Sequence, residues 1–146
     1  MKIYFDVCCL NRPYDDQTQD RIHLETEAIM TILKHIELKE WYWISSGVVN
    51  YEISKISDEE KKCRLQSLVR WATEFVSVEQ DTYNKAKEIQ QLEIKAYDAL
   101  HIACAEQGDA DIFLSTDDKL IKASKRNKEA INIEVENPLT WLQKVI

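Results

Sequence analysis

Five short runs of apolar and aromatic residues, separated by helix-like segments, constrain the fold of this chain more than any other feature. They lie at residues 2–6, 41–44, 75–78, 111–115 and 131–135. Each run has the length of a buried β-strand, and β-branched and aromatic side chains favour that conformation. Strands that alternate with helices form parallel sheets whose faces those helices cover. The sequence therefore predicts a three-layer α/β/α sandwich around a central, mostly parallel sheet of about five strands.

The intervening segments carry several kinds of helix signal. Residues 20–36 repeat apolar side chains along one helical face, and Ser57 to Glu60 form a capping box that opens another helix. Gly108 suits the C′ position after a helix over residues 98–107. Further helices are predicted over residues 48–56, 81–92 and 118–125 and from Pro138 onwards, and a loop over residues 8–19.

The chain has the length of one ordinary domain. Its 146 residues suffice for one substantial core, and no linker, repeat or low-complexity tract divides them. No apolar run approaches the roughly 20 residues of a membrane span, and the first residues are typical of a strand rather than a signal peptide. We expect a single domain over residues 1–146 in a cytoplasmic protein that binds no membrane.

The cysteines and histidines give no sign of a disulfide framework or a zinc site. No Cys-x-x-Cys pair occurs, so we expect reduced thiols at Cys8, Cys9, Cys63 and Cys104. The three histidines form no metal-ligand pattern with them. His101 is predicted to be a structural residue of a packed helix.

Four acidic residues carry the functional prediction. Asp6 ends the first strand, Asp117 follows the fourth, and Glu52 and Asp98 lie on helical segments. In α/β sheets, ligands bind in a crevice at the carboxyl ends of the strands, so these side chains are expected to converge there. Converged carboxylates repel one another unless a cation joins them. The pattern predicts a divalent-metal site and metal-assisted phosphodiester chemistry.

Each acid also has an ordinary structural explanation. Asp98 and Asp117 suit N-cap positions, and Asp6 suits a turn. Glu52 lies on the apolar face of its predicted helix, where a salt bridge to Lys or Arg would explain it. The net charge of −7 further argues against non-specific binding to nucleic acid, although cations bound at the acids would offset it locally.

Four motifs follow one another along nearly the whole chain. The first strand ends in Asp6, and the second leads through two serines into the helix that carries Glu52. Residues 96–105 contain Asp-Ala-Leu-His and several alanines, and residues 113–117 read Phe-Leu-Ser-Thr-Asp. The last two motifs are the most specific. Together the four resemble the PIN domain, the fold of the VapC-type toxin ribonucleases.

The resemblance implies a magnesium- or manganese-dependent endoribonuclease, a hydrolase of RNA. Such a nuclease is either the toxin of a toxin–antitoxin pair or a housekeeping ribonuclease, and the sequence leaves both roles open. The family's catalytic, metal-binding acids match, position by position, Asp6, Glu52, Asp98 and Asp117. Thr116 matches the hydroxyl that supports the last acid, and Asp118 is an extra acid beside it. The resemblance also implies an antitoxin partner, whose Arg or Lys reaches the acids, and a homodimer.

The loop after the first strand departs from the family pattern. Cys8 stands where the family often has Ser, Thr or Asn, and a thiol is a poor ligand for a hard cation. In the same loop, Asn11 offers a neutral oxygen ligand and Arg12 a phosphate contact. The alternative function is a catalytically degenerate PIN-like domain that binds proteins. A phosphotransferase with Asp6 as nucleophile is poorly supported, because Cys8 replaces the second Asp of the Asp-x-Asp motif that such phosphatases carry.

Overall fold

The computed structural model describes residues 1–146, which form five strands and eight α-helices. The strands are β1 (Lys2–Phe5), β2 (Tyr42–Ser46), β3 (Glu74–Val76), β4 (Ile112–Leu114) and β5 (Glu134–Glu136). The helices are α1 (Val7–Asn11), α2 (Asp20–Glu37), α3 (Gly47–Ser54), α4 (Glu59–Leu68), α5 (Gln80–Gln90), α6 (Ala96–Gln107), α7 (Asp118–Arg126) and α8 (Pro138–Val145). Two 3₁₀ turns lie at Arg12–Tyr14 and Val69–Trp71.

The five strands form one sheet in the order β3-β2-β1-β4-β5, and every neighbouring pair is parallel. The α/β prediction is confirmed, and the sheet is parallel throughout. Ile3 of β1 lies between Trp43 of β2 and Ile112 of β4. The strand order reverses at the β1–β4 pair, which is where a crevice at the carboxyl ends of the strands is expected.

Side-chain alternation along β1 distributes the core between the two faces of the sheet. The ring of Tyr4 stacks on Phe113 at 5.3 Å between centroids, and its edge approaches His101 of α6 at 5.6 Å. Phe5 points to the opposite face and meets Trp43 at 5.4 Å. Helix α6 packs with α3 and α5, while α2 packs with α8. Apolar side chains of the sheet are thus covered on both faces.

Residues 8–19, predicted to be a loop, begin in helix α1 and continue into a 3₁₀ turn. Val7, Cys9 and Leu10 of this helix are buried, although the segment is short and polar further on. Burial against the core therefore overrides the weak local propensity for a helix. The fifth strand was predicted at residues 131–135, and it lies slightly later, at β5.

Helix α6 ends at Gly108, as predicted, but the physical reason for a glycine at this position is different. Gly108 caps the helix with φ −80°, and the next residue, Asp109, adopts the left-handed φ of 54°. Gly108 is instead required by close packing, since a Cβ atom there would lie 2.9 Å from Cγ2 of Ile44 and 3.1 Å from Val76. The helix thus ends against β2 and β3.

None of the eight helices combines the length and the apolar character that a membrane crossing requires. All four cysteines are free, as predicted.

Candidate metal centre

Asp6 lies at the carboxyl end of β1 and is 6% exposed. It occupies the N-cap position of α1, yet its side chain makes no capping hydrogen bond. Its Oδ2 atom instead accepts a hydrogen bond of 3.0 Å from the hydroxyl of Ser115, which is fully buried. The structure therefore gives Asp6 no capping role, and Ser115 holds its carboxylate in a fixed orientation.

Glu52 lies on α3, and its side chain is 27% exposed. Its Oε1 atom accepts a hydrogen bond of 2.7 Å from Nε2 of His101 on α6, and no Lys or Arg pairs with it. Ligand atoms of Asp6, Glu52 and His101 all lie within 4.8 Å of one another. Helices α3 and α6 therefore bring Glu52 to Asp6 at the end of β1, whereas Asp98 and Asp117 are not part of this group.

Asp98 lies in the first turn of α6, but Lys95 holds the N-cap position. The N-cap explanation of Asp98 is therefore wrong, and no hydrogen bond reaches its carboxylate. Partial burial, together with the charges of Asp6 and Asp117, raises the pKa of Asp98 from its ordinary value of 3.8 to about 6. Asp98 is thus a carboxylate that three neighbouring carboxylates, those of Asp6, Asp117 and Glu52, repel.

Asp117 caps α7, as its ordinary structural explanation requires. Its Oδ1 atom accepts hydrogen bonds from the backbone N–H groups of Lys119 at 2.9 Å and Leu120 at 3.4 Å. Its own N–H donates to the Ser115 hydroxyl at 3.1 Å. Oδ2 of Asp117 has no hydrogen-bond donor, so capping leaves one oxygen available to a cation.

Two of the predicted supporting residues are engaged in ion pairs. Arg12 bonds to Glu25 at 2.8 Å and to Asp15 at 3.0 Å. Asp118 is exposed and accepts two hydrogen bonds of 2.8 Å from Arg21. A phosphate contact by Arg12 and a ligand role for Asp118 stay predictions, and either would have to compete with these pairs.

The other supporting residues have fewer contacts. The Thr116 hydroxyl forms no hydrogen bond with any of the four acids. The backbone N–H of Thr116 donates to Sγ of Cys8 at 3.4 Å. The Cys8 thiol also lies 3.6 Å from the Ser115 hydroxyl. Oδ1 of Asn11 is buried without a hydrogen-bond partner. Their roles toward a cation stay predictions.

No sequence pattern singled out Ser115, and His101 was predicted only to be a structural residue of a packed helix. Ser115 bonds to Asp6 across 109 residues of chain, and the signal for it lies in strand register. Leu114 pairs with Phe5 in the parallel β1–β4 ladder, so the next residues along, Ser115 and Asp6, lie at the same level. His101 gave no comparable signal, because its contact with Glu52 depends on how two helices pack.

The donor set suits a hard divalent cation. Asp6, Glu52 and Asp117 each have one carboxylate oxygen that accepts no hydrogen bond. Neither carboxylate oxygen of Asp98 accepts one. Oxygen-rich sites of this kind favour Mg²⁺ or Mn²⁺ over softer metals. A cation would also relieve the repulsion that raises the pKa of Asp98. The residues present therefore fit such an ion.

Comparison with known proteins agrees with this architecture. The family model of the PIN domain matches residues 22–126. Among solved structures, FitAcB from Neisseria gonorrhoeae is 18% identical, with 93% of this chain and 97% of the other covered and a TM-score of 0.60. VapBC2 from Rickettsia felis, bound to a DNA fragment from their promoter, is 18% identical, with coverages of 94% and 98% and a TM-score of 0.61. VapBC-1 from nontypeable Haemophilus influenzae is 11% identical, with coverages of 94% and 98% and a TM-score of 0.58. No curated protein matches the sequence.

Proposed function

This chain belongs to the PIN domain family, and we propose that it is a metal-dependent endoribonuclease whose residues 1–146 form one domain. The observation that carries the proposal is the Asp98 carboxylate, which has no hydrogen-bond donor and faces the charges of Asp6 and Asp117. A fold that keeps such a group with no Lys or Arg paired to it is suited to bind a metal ion.

In this proposal Asp6, Glu52, Asp98 and Asp117 hold Mg²⁺ or Mn²⁺. The bound cation would supply a water nucleophile active at neutral pH and would stabilise the charge that develops on the phosphodiester. The chain itself orients the ligands: the Ser115 hydroxyl fixes Asp6, and the first turn of α7 fixes Asp117. No side-chain nucleophile is required.

We further propose that the protein acts as a toxin with an antitoxin partner and that it forms a homodimer. The support is the similarity in fold to the FitAcB, VapBC2 and VapBC-1 structures. An Arg or Lys side chain of a partner could pair with the acids at the carboxyl end of β1, because charge-assisted hydrogen bonds to carboxylates are strong and directional.

The test is cleavage of RNA by the purified protein in Mn²⁺ or Mg²⁺, with and without EDTA. Asp6→Asn and Asp98→Asn keep the size of each side chain and remove a ligand charge, so each is expected to lower the cleavage rate at least a hundredfold. Asp109→Asn is the matched control, because Asp109 is exposed at the end of α6 and makes no side-chain hydrogen bond.

Full activity of both site variants would exclude the proposed mechanism. Cation binding by the wild type without cleavage of any RNA would instead favour the alternative of a protein-binding PIN domain. Absence of cation binding at millimolar Mn²⁺ would favour the same alternative and would also refute the proposed metal site.

A further inference from the structure

A continuous chain of hydrogen bonds runs from the core to Glu52. The Ser46 hydroxyl at the end of β2 bonds to the Tyr4 hydroxyl at 2.7 Å, and Tyr4 bonds to Nδ1 of His101 at 2.7 Å. Nε2 of His101 bonds to Oε1 of Glu52, also at 2.7 Å. Ser46, Tyr4 and His101 are each fully buried. This chain of hydrogen bonds therefore connects two strands and two helices through an apolar core.

The partners fix the position of each proton along this line. The Glu52 carboxylate can only accept, so Nε2 of His101 carries a hydrogen. In the Nε2–H tautomer the ring atom Nδ1 is an acceptor, and it lies 2.7 Å from the Tyr4 hydroxyl. Burial raises the pKa of Tyr4, which keeps its phenol protonated and able to donate to Nδ1. The Ser46 hydroxyl accepts the N–H of Val49 at 3.3 Å and donates to Tyr4, so every donor has an acceptor.

Packing holds the rings in this arrangement. The Tyr4 ring stacks on Phe113, and His101 approaches both rings edge-on, at 5.6 Å and 6.3 Å between centroids. A turn of the imidazole would break both of its hydrogen bonds and leave buried polar atoms unsatisfied, at a cost of about 1–3 kcal/mol for each group. The orientation of His101 is thus determined from the core side.

We propose that His101 is a positioning residue that fixes the Glu52 carboxylate, with Tyr4 and Ser46 holding the imidazole in the Nε2–H form. One oxygen of Glu52 is occupied by His101, and the other stays free to ligate the cation. This inference rests on the proposed metal site. It also excludes His101 as a ligand, although its ring lies within 4.8 Å of Asp6 and Glu52, because Nε2 cannot both donate to Glu52 and coordinate an ion.

The first test needs no metal and reads the tautomer directly. Nitrogen-15 NMR of the metal-free protein at pH 7.5 is expected to show His101 protonated at Nε2 and unprotonated at Nδ1. Tyr4→Phe keeps the ring and removes the hydroxyl, so a fraction of Nδ1–H tautomer is expected to appear. An Nδ1–H ring in the wild type, or no change in Tyr4→Phe, would overturn the proposed role of Tyr4.

The second test compares Mn²⁺ affinity, by calorimetry, among the wild type, His101→Gln and His101→Leu. Leu removes the donor to Glu52 and is expected to weaken binding about 10–100-fold, the usual effect of losing a partner of a metal ligand. Gln can present an N–H near the position of Nε2 and is expected to restore much of the affinity. Equal affinity in all three proteins would overturn the proposal.

Two controls keep this test decisive. Electron spin-echo spectroscopy of the Mn²⁺-loaded wild type is expected to show no directly bound nitrogen, and a bound imidazole nitrogen would make His101 a ligand instead. If His101→Leu fails to fold, Tyr4→Phe replaces it, with a smaller expected loss of Mn²⁺ affinity. A wild type that binds no Mn²⁺ would refute the metal site itself, whereas the tautomer experiment would still stand alone.

Discussion

Asp98 is a carboxylate whose charge the metal-free protein disfavours, because its burial and the charges of Asp6 and Asp117 oppose ionisation and no hydrogen-bond donor contacts it. Its folded pKa of about 6 exceeds its ordinary value of 3.8. A raised pKa means that the folded protein holds this proton more tightly than the unfolded chain does. The contribution of Asp98 to stability is therefore fully present below about pH 4 and is lost as the pH rises through 6.

Asp98→Asn should accordingly stabilise the metal-free protein at high pH. The difference between these two pKa values corresponds to roughly 3 kcal/mol, and partial exposure of the side chain reduces the expected gain to about 1–2 kcal/mol at pH 8. At pH 3.5 the variant and the wild type should be nearly equal in stability. Urea denaturation in EDTA at the two pH values measures the difference. A variant that is less stable than the wild type at pH 8 would contradict this account.

The same carboxylate should make cation affinity depend on pH, since a proton and a cation compete for Asp98. Mn²⁺ affinity of the wild type is expected to fall as the pH decreases below about 6, by up to tenfold per pH unit. Calorimetric titrations from pH 7.5 to pH 5 provide the measurement, with Asp109→Asn as a control that should follow the wild type. If the Mn²⁺ affinity stays the same across this pH range, Asp98 does not bind the ion.

The acids themselves could be predicted from sequence, but the groups that orient them could not. Asp6 ends an apolar strand and Asp98 precedes Ala-Leu-His, and such local patterns are visible in a linear chain. The partners are distant: Ser115 lies 109 residues from Asp6, and His101 lies 49 residues from Glu52. These hydrogen bonds depend on strand register and helix packing, which local patterns do not specify.

At the scale of secondary structure, elements with a clear apolar pattern were predicted well, and helix α1, which is held by tertiary contacts, was not. The strand over residues 2–6 is β1 with its predicted Asp6 at the end, because apolar and aromatic side chains suit a buried central strand. Helix α1 spans five residues, too few for a helix to be stable alone, and it forms because Val7, Cys9 and Leu10 are buried.

The two glycines should respond oppositely to alanine. A Cβ atom at Gly108 would lie 2.9 Å from Cγ2 of Ile44, so Gly108→Ala forces the end of α6 away from β2 and should cost about 1–3 kcal/mol. At Gly47, the first residue of α3, the nearest atom would be Cγ2 of Val78 at an ordinary 3.5 Å. Gly47→Ala should be neutral or stabilising by up to about 1 kcal/mol.

Urea denaturation of both variants measures these changes in the free energy of unfolding. Gly47→Ala serves as the matched control, since the same methyl group is added at a site with room for it. A loss of stability of similar size in both variants would contradict this explanation. It would mean that the close approach to Ile44 does not determine the effect of Gly108→Ala, and that the reduced freedom of the unfolded chain does not determine the effect of Gly47→Ala.

At the scale of the whole molecule, the reversal of strand order brings residues from four distant segments to the end of β1. The chain carries a net charge of −7, and four of the acidic residues that contribute to it belong to the candidate site. A divalent cation should therefore stabilise the folded protein strongly, because it binds the assembled acids and has little affinity for the separated ones in the unfolded chain.

Adding Mn²⁺ should raise the melting temperature of the wild type, and EDTA should reverse the change. At a free concentration of 100 times the dissociation constant, binding contributes about 2.7 kcal/mol, which for a domain of this size corresponds to roughly 5–10 °C. Asp6→Asn should show little or no shift, while Asp109→Asn should shift as the wild type does. Since Asp6 and Asp109 differ in place but not in charge, an equal shift in both variants would mean that Mn²⁺ acts by general screening of the acidic chain. A shift confined to proteins with an intact Asp6 would locate the cation at the crevice beside β1.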